Sequence, residues 1–404
     1  STRLSTAPSI TSSMRPGIRS TEPGLHIMLD IAFDKGDSPL AASIGKAGQT
    51  WNSSAEPPAP DCPRWQALSE TGLFRLACDR DKPFAERNIG IIHAMERLGE
   101  ECRDGGFTFA VATHLASTLT ALDRFASAEL RAEVLPDLVA GRRIGAHAIS
   151  EAEAGSDALA MTTTARRDGP DYVLDGDKAF VTNGPIADVF VIYARTAGTG
   201  AGSVSAFLVD RDTPGLTVAG AKPLVGLKTS MNGPLQLRGC RVPASRLIGR
   251  EGAGFMVLSH VMKQEILYSF MANVGQMKHT LARCVRHVRR RRQFDRPIGD
   301  FQAVSHRIAN MKMRYEISRQ CILTAAARQA RNKDVTSDVA IAKIYVSEAL
   351  LANAIDAVHL HGGVGYLEET GLGEGVADAL AAPIYSGTND IQRGRIAAMM
   401  GVGS

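Results

Sequence analysis

The 404-residue sequence predicts an α+β multidomain protein with an N-terminal helical domain, a middle β-domain and a C-terminal four-helix bundle. Two observations carry this. The apolar residues change from three-and-four spacing to alternation near Ala148, and the helical period returns near Gly254. Clusters of Gly, Asp and Pro separate the alternating segments as turns separate strands. At roughly 100–200 residues per domain the length suits two or three domains. The expected divisions are a poorly ordered extension over 1–27, a helical domain over 28–147, a β-domain over 148–249 and a helical bundle over 250–404.

The first 27 residues are rich in Ser, Thr, Pro and Gly and carry little apolar periodicity, which makes them a poor core builder. In the next segment Trp65 to Leu73, Gly90 to Gly99 and Leu115 to Leu138 read as helices, with stops expected at Gly72, Gly99 and Gly141. Strands are expected at Asp171 to Lys178, Asp188 to Ala194, Val204 to Asp210 and Gly215 to Ala219. Long helices follow over Phe255 to Arg292, Gln302 to Arg331, Asp338 to Leu360 and Asn389 to Met399, lengths that pack as a bundle. Gly362-Gly-Val-Gly-Tyr366 and Ser386-Gly-Thr388 interrupt them where the chain would pass close to a ligand.

Composition narrows the function. A hydrophobic content of 44% with 22% charge is that of a globular chain with a large core. No apolar run approaches the ~20 residues that span a bilayer, and no signal-like apolar stretch stands at the start, so the expectation is a cytoplasmic protein without membrane insertion. A dispersed net charge of +4 gives no reason to expect nucleic acid. The six cysteines show no C-x-x-C pair and no zinc spacing, which reads as buried thiols in a reducing compartment. His359 and His361 would diverge on a helix, so no metal site is expected. The basic run Arg283 to Arg292 is either a solvated helix face or a site for phosphate or an acidic partner.

Two runs point to chemistry: Ala148-Ile-Ser-Glu-Ala-Glu-Ala-Gly-Ser-Asp157 and Asp175-Gly-Asp-Lys-Ala-Phe-Val-Thr-Asn-Gly184. Hydroxyls at Ser150, Ser156 and Thr182, small residues between them and an aromatic at Phe180 suit a flat heterocycle carrying phosphates. Together with Arg292-Gln-Phe-Asp-Arg-Pro-Ile-Gly-Asp-Phe-Gln302, Asp356-Ala-Val-His-Leu-His-Gly-Gly-Val-Gly-Tyr366 and Ile384-Tyr-Ser-Gly-Thr-Asn-Asp-Ile-Gln-Arg393, they resemble the acyl-CoA dehydrogenase family. The resemblance runs from about residue 60 to the end. Departures are Ser150 for threonine, Ala152 for proline, Phe180 for tryptophan and His359 for glutamine.

The resemblance implies FAD. Ser150 and Thr182 would reach the isoalloxazine edge, Ser156 a phosphate, and Phe180 would cover one face of the ring. Arg291 and Gln302, near Phe294, would hold the pyrophosphate of a neighbouring subunit's FAD, with Gly362 and Gly363 close to the same phosphates and His359 beside them. Thr388 and Asp390 would follow the ribityl and adenosine end. A site shared between subunits implies a homodimer or homotetramer.

The family's reaction removes a proton from the α-carbon of an acyl thioester while hydride leaves the β-carbon, so a base must face the flavin across the substrate. Most members place a glutamate after the tyrosine of Y-E-G-T, where this chain has Ser386. Some, isovaleryl-CoA and prolyl-carrier-protein dehydrogenases among them, place it on the first long helix of the C-terminal domain, which here is Glu265. Leu258, Val261, Met262 and Glu265 fall on one apolar stripe, where a carboxylate is costly to bury. The bland alternative is a Glu265 that snorkels or pairs with a structural arginine, and Ile266 departs from the arginine that relatives carry there.

The expected function is thus FAD-dependent α,β-dehydrogenation of an acyl thioester, on CoA or on an acyl carrier protein, passing electrons to a flavoprotein or to oxygen. Two alternatives stand beside it: a flavin monooxygenase or oxidase of the same fold, with or without decarboxylation, and a non-catalytic homologue without a base.

Overall fold

The computed structural model describes residues 38–48, 51 and 56–403. The extension expected over residues 1–27 lies outside them. The N-terminal helices are α1 (Pro39–Gly48), α2 (Pro63–Glu70), α3 (Leu73–Ala77), α4 (Phe84–Glu101), α5 (Gly105–Ala112), α6 (Thr120–Phe125) and α7 (Ala128–Val139). Local chemistry sets their ends. The Asp104 carboxylate accepts from Phe107 N at 3.0 Å to cap α5, and Ser127 Oγ accepts from Leu130 N at 3.1 Å to cap α7. Gly72 and Gly141 stop their helices at positive φ, 87° and 69°.

Two expectations need correction here. Gly99 does not end a helix, because α4 runs on to Glu101. The glycine is there for packing: a Cβ on Gly99 would lie 1.9 Å from Ala272 O, and one on Gly275 would lie 2.0 Å from Glu96 O. The helical period over Leu115 to Leu138 is also divided. Thr113–Leu119 is a seven-residue π-helical turn between α5 and α6, and the chain bends again before α7.

The middle of the chain folds into an eight-stranded sheet: β1 (Gly145–Ala148), β2 (Thr164–Asp168), β3 (Asp171–Thr182), β4 (Val189–Arg195), β5 (Val204–Asp210), β6 (Leu216–Val218), β7 (Asn232–Pro243) and β8 (Leu247–Ile248). Their order is β6-β7-β3-β2-β4-β5-β8, with β1 parallel to β4. Alternation on β4 and β5 feeds two cores. Val189, Val191 and Tyr193 face the core shared with the helices, while Phe190, Ile192 and Ala194 face a separate core under β3 and β7. Strand β7 was not legible as a strand, because its buried set slips from Leu235 and Leu237 to Cys240 and Val242 at Gly239, which has φ 59°.

The C-terminal helices are α8 (Gly254–Arg290), α9 (Gln302–Ala330), α10 (Thr336–His361), α11 (Leu372–Ala381) and α12 (Asn389–Met399). A short hairpin, β9 (Arg292–Gln293) with β10 (Arg296–Pro297), joins α8 to α9. Helix α8 packs against α9 and α10 in the bundle and crosses α4 at the paired glycines, so the helical domains share one core. Among the described residues no helix is long and apolar enough to cross a membrane.

Candidate active site

Glu265 sits in the fourth turn of α8 and is 8% exposed. Its two oxygens are held from two distant parts of the chain. Ser117 Oγ, in the π-helical turn, donates to Oε2 at 2.6 Å, and Ser386 Oγ donates to Oε1. These serines are its hydrogen-bond partners, and no cation is paired with it among the described residues. The structural-arginine alternative therefore fails. Burial pushes the Glu265 carboxyl up from its ordinary value, with the Ser117 and Ser386 hydroxyls pulling the other way. Tyr193 lies fully buried on β4, its phenol raised by burial and by the charge of Glu265.

Ser386 takes a left-handed φ of 56° in the loop ahead of α12. That loop is built from below. Lys343 on α10, fully buried, donates to Pro383 O at 2.9 Å and to Asn389 Oδ1 at 2.7 Å, while Gln392 Nε2 holds Ser386 O at 3.0 Å. Thr388 caps α12, its Oγ1 accepting from Ile391 N at 3.3 Å. Tyr385 packs between Phe109 and Phe270, at ring distances of 4.4 and 5.2 Å, and its hydroxyl accepts from Asn273 Nδ2 at 2.8 Å.

A cavity of about 380 Å³ opens beside this cluster, lined by Phe109, Ser269, Asn273, Gln276 and Tyr385 at one end and by Arg283 and Glu374 at the other. Glu265 does not line it. Its neighbours do: Ser269 one turn further along α8, donating to Glu265 O at 2.6 Å, and Tyr385 next to Ser386.

The two runs singled out in the sequence meet in space. Ala179 N donates to Ser150 O at 2.8 Å, and Lys178 Nζ donates to Ile149 O at 3.0 Å and to Glu151 Oε1 at 2.9 Å. Burial pushes the Glu151 carboxyl up, but hydrogen bonds from Thr163 and Thr162 and the charge of Lys178 outweigh it and hold the group at about 2. This knot sits under a break in the β3–β7 register between Lys178 and Val181, where Phe180 has φ 53° and a ring 73% exposed. A bulky residue at positive φ that buries little is strained without repayment from packing. A flat ring laid against it fits that geometry. Ser150 and Thr182 flank it half-buried, Asn232 Nδ2 donating to Thr182 Oγ1 at 3.4 Å, and Ser156 is exposed on the adjoining turn.

The second group of predicted cofactor residues gathers at the other end of the bundle. Arg291 closes α8, exposed, and Phe294 occupies the turn of the β9–β10 hairpin with φ 51° and a ring 86% exposed. Gln302 opens α9, exposed on its first turn. His287 stacks on His361 at 4.0 Å, which brings the end of α8 beside the end of α10, where His359 is exposed and Gly362 and Gly363 have nothing within 4 Å of an added Cβ. Open glycine backbone and a free guanidinium suit a diphosphate. Arg286 and Arg289 to Arg292 are exposed, whereas Arg283 is half-buried and donates to Thr370 O at 2.7 Å. Asp390 stands apart from this group, on the first turn of α12 beside the Ser386 loop, exposed and paired with Arg393 at 3.3 Å. Residues of the two groups thus fit the flavin and diphosphate ends of FAD.

The sequence reading missed Ser117, Asn273 and Lys343. Only Lys343 had a visible signal, a lone lysine among the apolar positions of a long helix.

Comparison with known proteins defines the class. A family model described as acyl-CoA dehydrogenase, middle domain, matches residues 146–240, and one described as acyl-CoA dehydrogenase, C-terminal domain, matches residues 252–401. The chain belongs to the acyl-CoA dehydrogenase family: it is an FAD-dependent oxidoreductase acting on CH-CH bonds, and its reaction is the α,β-dehydrogenation of an acyl thioester. It is 39% identical over 340 residues to the L-prolyl peptidyl-carrier-protein dehydrogenase of Pseudomonas fluorescens, covering 83% of this chain and 89% of that protein. Among solved structures, the FAD complex of PigA is similar at 31% identity with a TM-score of 0.83, covering 96% of this chain and 100% of that one. The prolyl acyl carrier protein oxidase AnaB matches at 31% identity and a TM-score of 0.80, covering 94% and 98%.

Proposed function

We propose that Glu265 is the base that removes the α-proton, and that the acyl group is a short, polar one of the prolyl kind delivered on a carrier protein. The observation that carries the first part is a buried carboxylate with no cation beside it among the described residues, its oxygens held by Ser117 and Ser386 and its neighbours Ser269 and Tyr385 lining the cavity. Burial raises its proton affinity, which is what a base drawing a proton from carbon requires. The second part is supported by the kinship with a prolyl-carrier-protein dehydrogenase. The cavity end nearest Glu265 adds to it, since Ser269, Asn273 and the Tyr385 hydroxyl offer hydrogen bonds where a fatty chain would want carbon.

FAD supplies the hydride acceptor when bound. Ser150, Thr182 and Phe180 would hold its ring system and Ser156 a phosphate. Arg291, Phe294, Gln302, His359, Gly362 and Gly363 would serve the diphosphate of a neighbouring subunit's FAD, with Thr388 and Asp390 nearer the ribityl and adenosine end. Such sharing calls for a homodimer or homotetramer. Phe109 and Phe270 brace Tyr385, and with it the loop that sets Ser386 against the base.

The test is anaerobic bleaching of the FAD holoenzyme by a prolyl-carrier-protein thioester, with prolyl-CoA in parallel. Glu265→Gln should slow bleaching by about 10²–10⁴-fold, the usual contribution of a positioned base. Full-rate bleaching by the variant sinks the assignment, and preference for the CoA ester overturns the carrier reading. An oxidase is the second reading, favoured by the likeness to AnaB, whose description is an oxidase. Oxygen uptake that keeps pace with turnover would select it over transfer to a flavoprotein.

A further inference from the structure

We propose that Ser117 and Ser386 are positioning residues for the base: two hydroxyls, one per carboxylate oxygen, that fix Glu265 in a single orientation in both its proton-free and proton-bearing states. The inference rests on Glu265 being the base.

The geometry is unusual for a buried acid. Such groups are ordinarily steadied by a cation or by backbone amides. Here the donors are Ser117 Oγ at 2.6 Å on Oε2 and Ser386 Oγ on Oε1. A hydroxyl both donates and accepts, and its hydrogen rotates freely. While the carboxylate is charged, both serines donate to it. Once it has taken a proton, one serine turns to accept that O–H, so the carboxyl keeps its place without backbone movement. A lysine or arginine in either position could only donate and would oppose protonation.

Each serine also stands on backbone that simple packing does not ask for. Ser117 belongs to a π-helical turn, a form found mostly as short interruptions of α-helices and often at functional sites. Ser386 is held at φ 56°, a region that favours Gly or Asn. Both irregularities end in a hydrogen bond to one carboxyl group. Lys343, Asn389 and Gln392 hold the second of them in place through Pro383 O and Ser386 O. The other titratable groups facing Glu265 are the phenols of Tyr193 from β4 and Tyr385 from the loop, and burial keeps both neutral.

Three variants of the FAD holoenzyme test this: Ser117→Ala, Ser386→Gly and their combination. Ser386→Gly removes the hydroxyl while relieving the positive φ, so its fold should be retained. The first readout is flavin bleaching by the prolyl-carrier-protein thioester against pH. The second, which needs no turnover, is the infrared carboxyl band of Glu265, identified by its loss in Glu265→Gln, followed against pH. Losing donors to the anion should move both midpoints upward by about one pH unit per serine. Bleaching one unit below the parent's midpoint should fall about tenfold and recover at higher pH. Ser386→Asn, which tolerates the backbone and restores a donor, should bring the midpoint most of the way back.

Unmoved midpoints in the combined variant, or a loss of rate that is equal at every pH, overturn the positioning role. A Glu265→Gln variant that still bleaches at full rate overturns the base and the serines' role together. Loss of bleaching in Glu265→Gln with unmoved serine midpoints removes the serines' role alone.

Discussion

Replacing Gly275 by alanine pits two known effects against each other, and the structure decides the sign. In a helix interior, alanine is favoured over glycine by about 1 kcal/mol. At Gly275, however, the new Cβ would sit 2.0 Å from Glu96 O, whereas ordinary contact begins near 3.4 Å. Helices α4 and α8 would have to part by roughly 1.4 Å along a crossing that is otherwise fully packed. Overpacking of this kind costs about 1–3 kcal/mol and more where the obstacle is backbone, so the net expectation is a loss of about 2 kcal/mol or more. The control is Gly394 on α12, where an added Cβ meets nothing within 4 Å and Gly394→Ala should gain up to about 1 kcal/mol. Urea unfolding at one fixed protein concentration, followed by far-UV circular dichroism, reads both. A Gly275→Ala protein as stable as its parent would refute the close-crossing argument.

Glu151 has an ordinary carboxyl value of 4.5 and is held at about 2, so its contribution is present above pH 4.5 and is lost as pH falls toward 2. The stability gap between the parent and Glu151→Gln, up to about 3 kcal/mol at pH 7, should shrink on urea titration from pH 6 to 3. Lys343 gives a dependence of the same direction from a base. Burial lowers its ammonium to about 8 from 10.5, so the unfolded chain binds the extra proton between those values and the parent should gain stability over Lys343→Met as pH rises from 7.5 to 10. Phe180→Ala should leave the stability of the flavin-free protein unchanged within about 0.5 kcal/mol, since the ring is 73% exposed. Its FAD affinity, read by flavin fluorescence, should weaken by roughly tenfold if the ring covers the flavin.

Much of this was legible in the chain. Helices α8, α9, α10 and α12 follow their apolar stripes to within a few residues, because long repetition at a fixed period leaves little ambiguity. Strand β7 was hidden because a single extra residue at Gly239 shifts its alternation, and Gly99 was misread because a glycine that ends a helix and one that admits a neighbour look alike in sequence. Glu265 could be singled out from its stripe, yet Ser117 could not, since nothing in Thr113–Leu119 announces a π-helical turn.

The order of helices, strands and helices, the flavin-binding wording and an acid placed among apolar neighbours are all properties of residues near one another along the chain, and the sequence determined them unaided. Which groups touch that acid was decided only by folding. Positions 117, 265 and 386 lie in three separate segments, and their convergence depends on a glycine-lined helix crossing and on a loop held by a buried lysine. Long-range contacts of that kind are set by packing geometry, which no local pattern records.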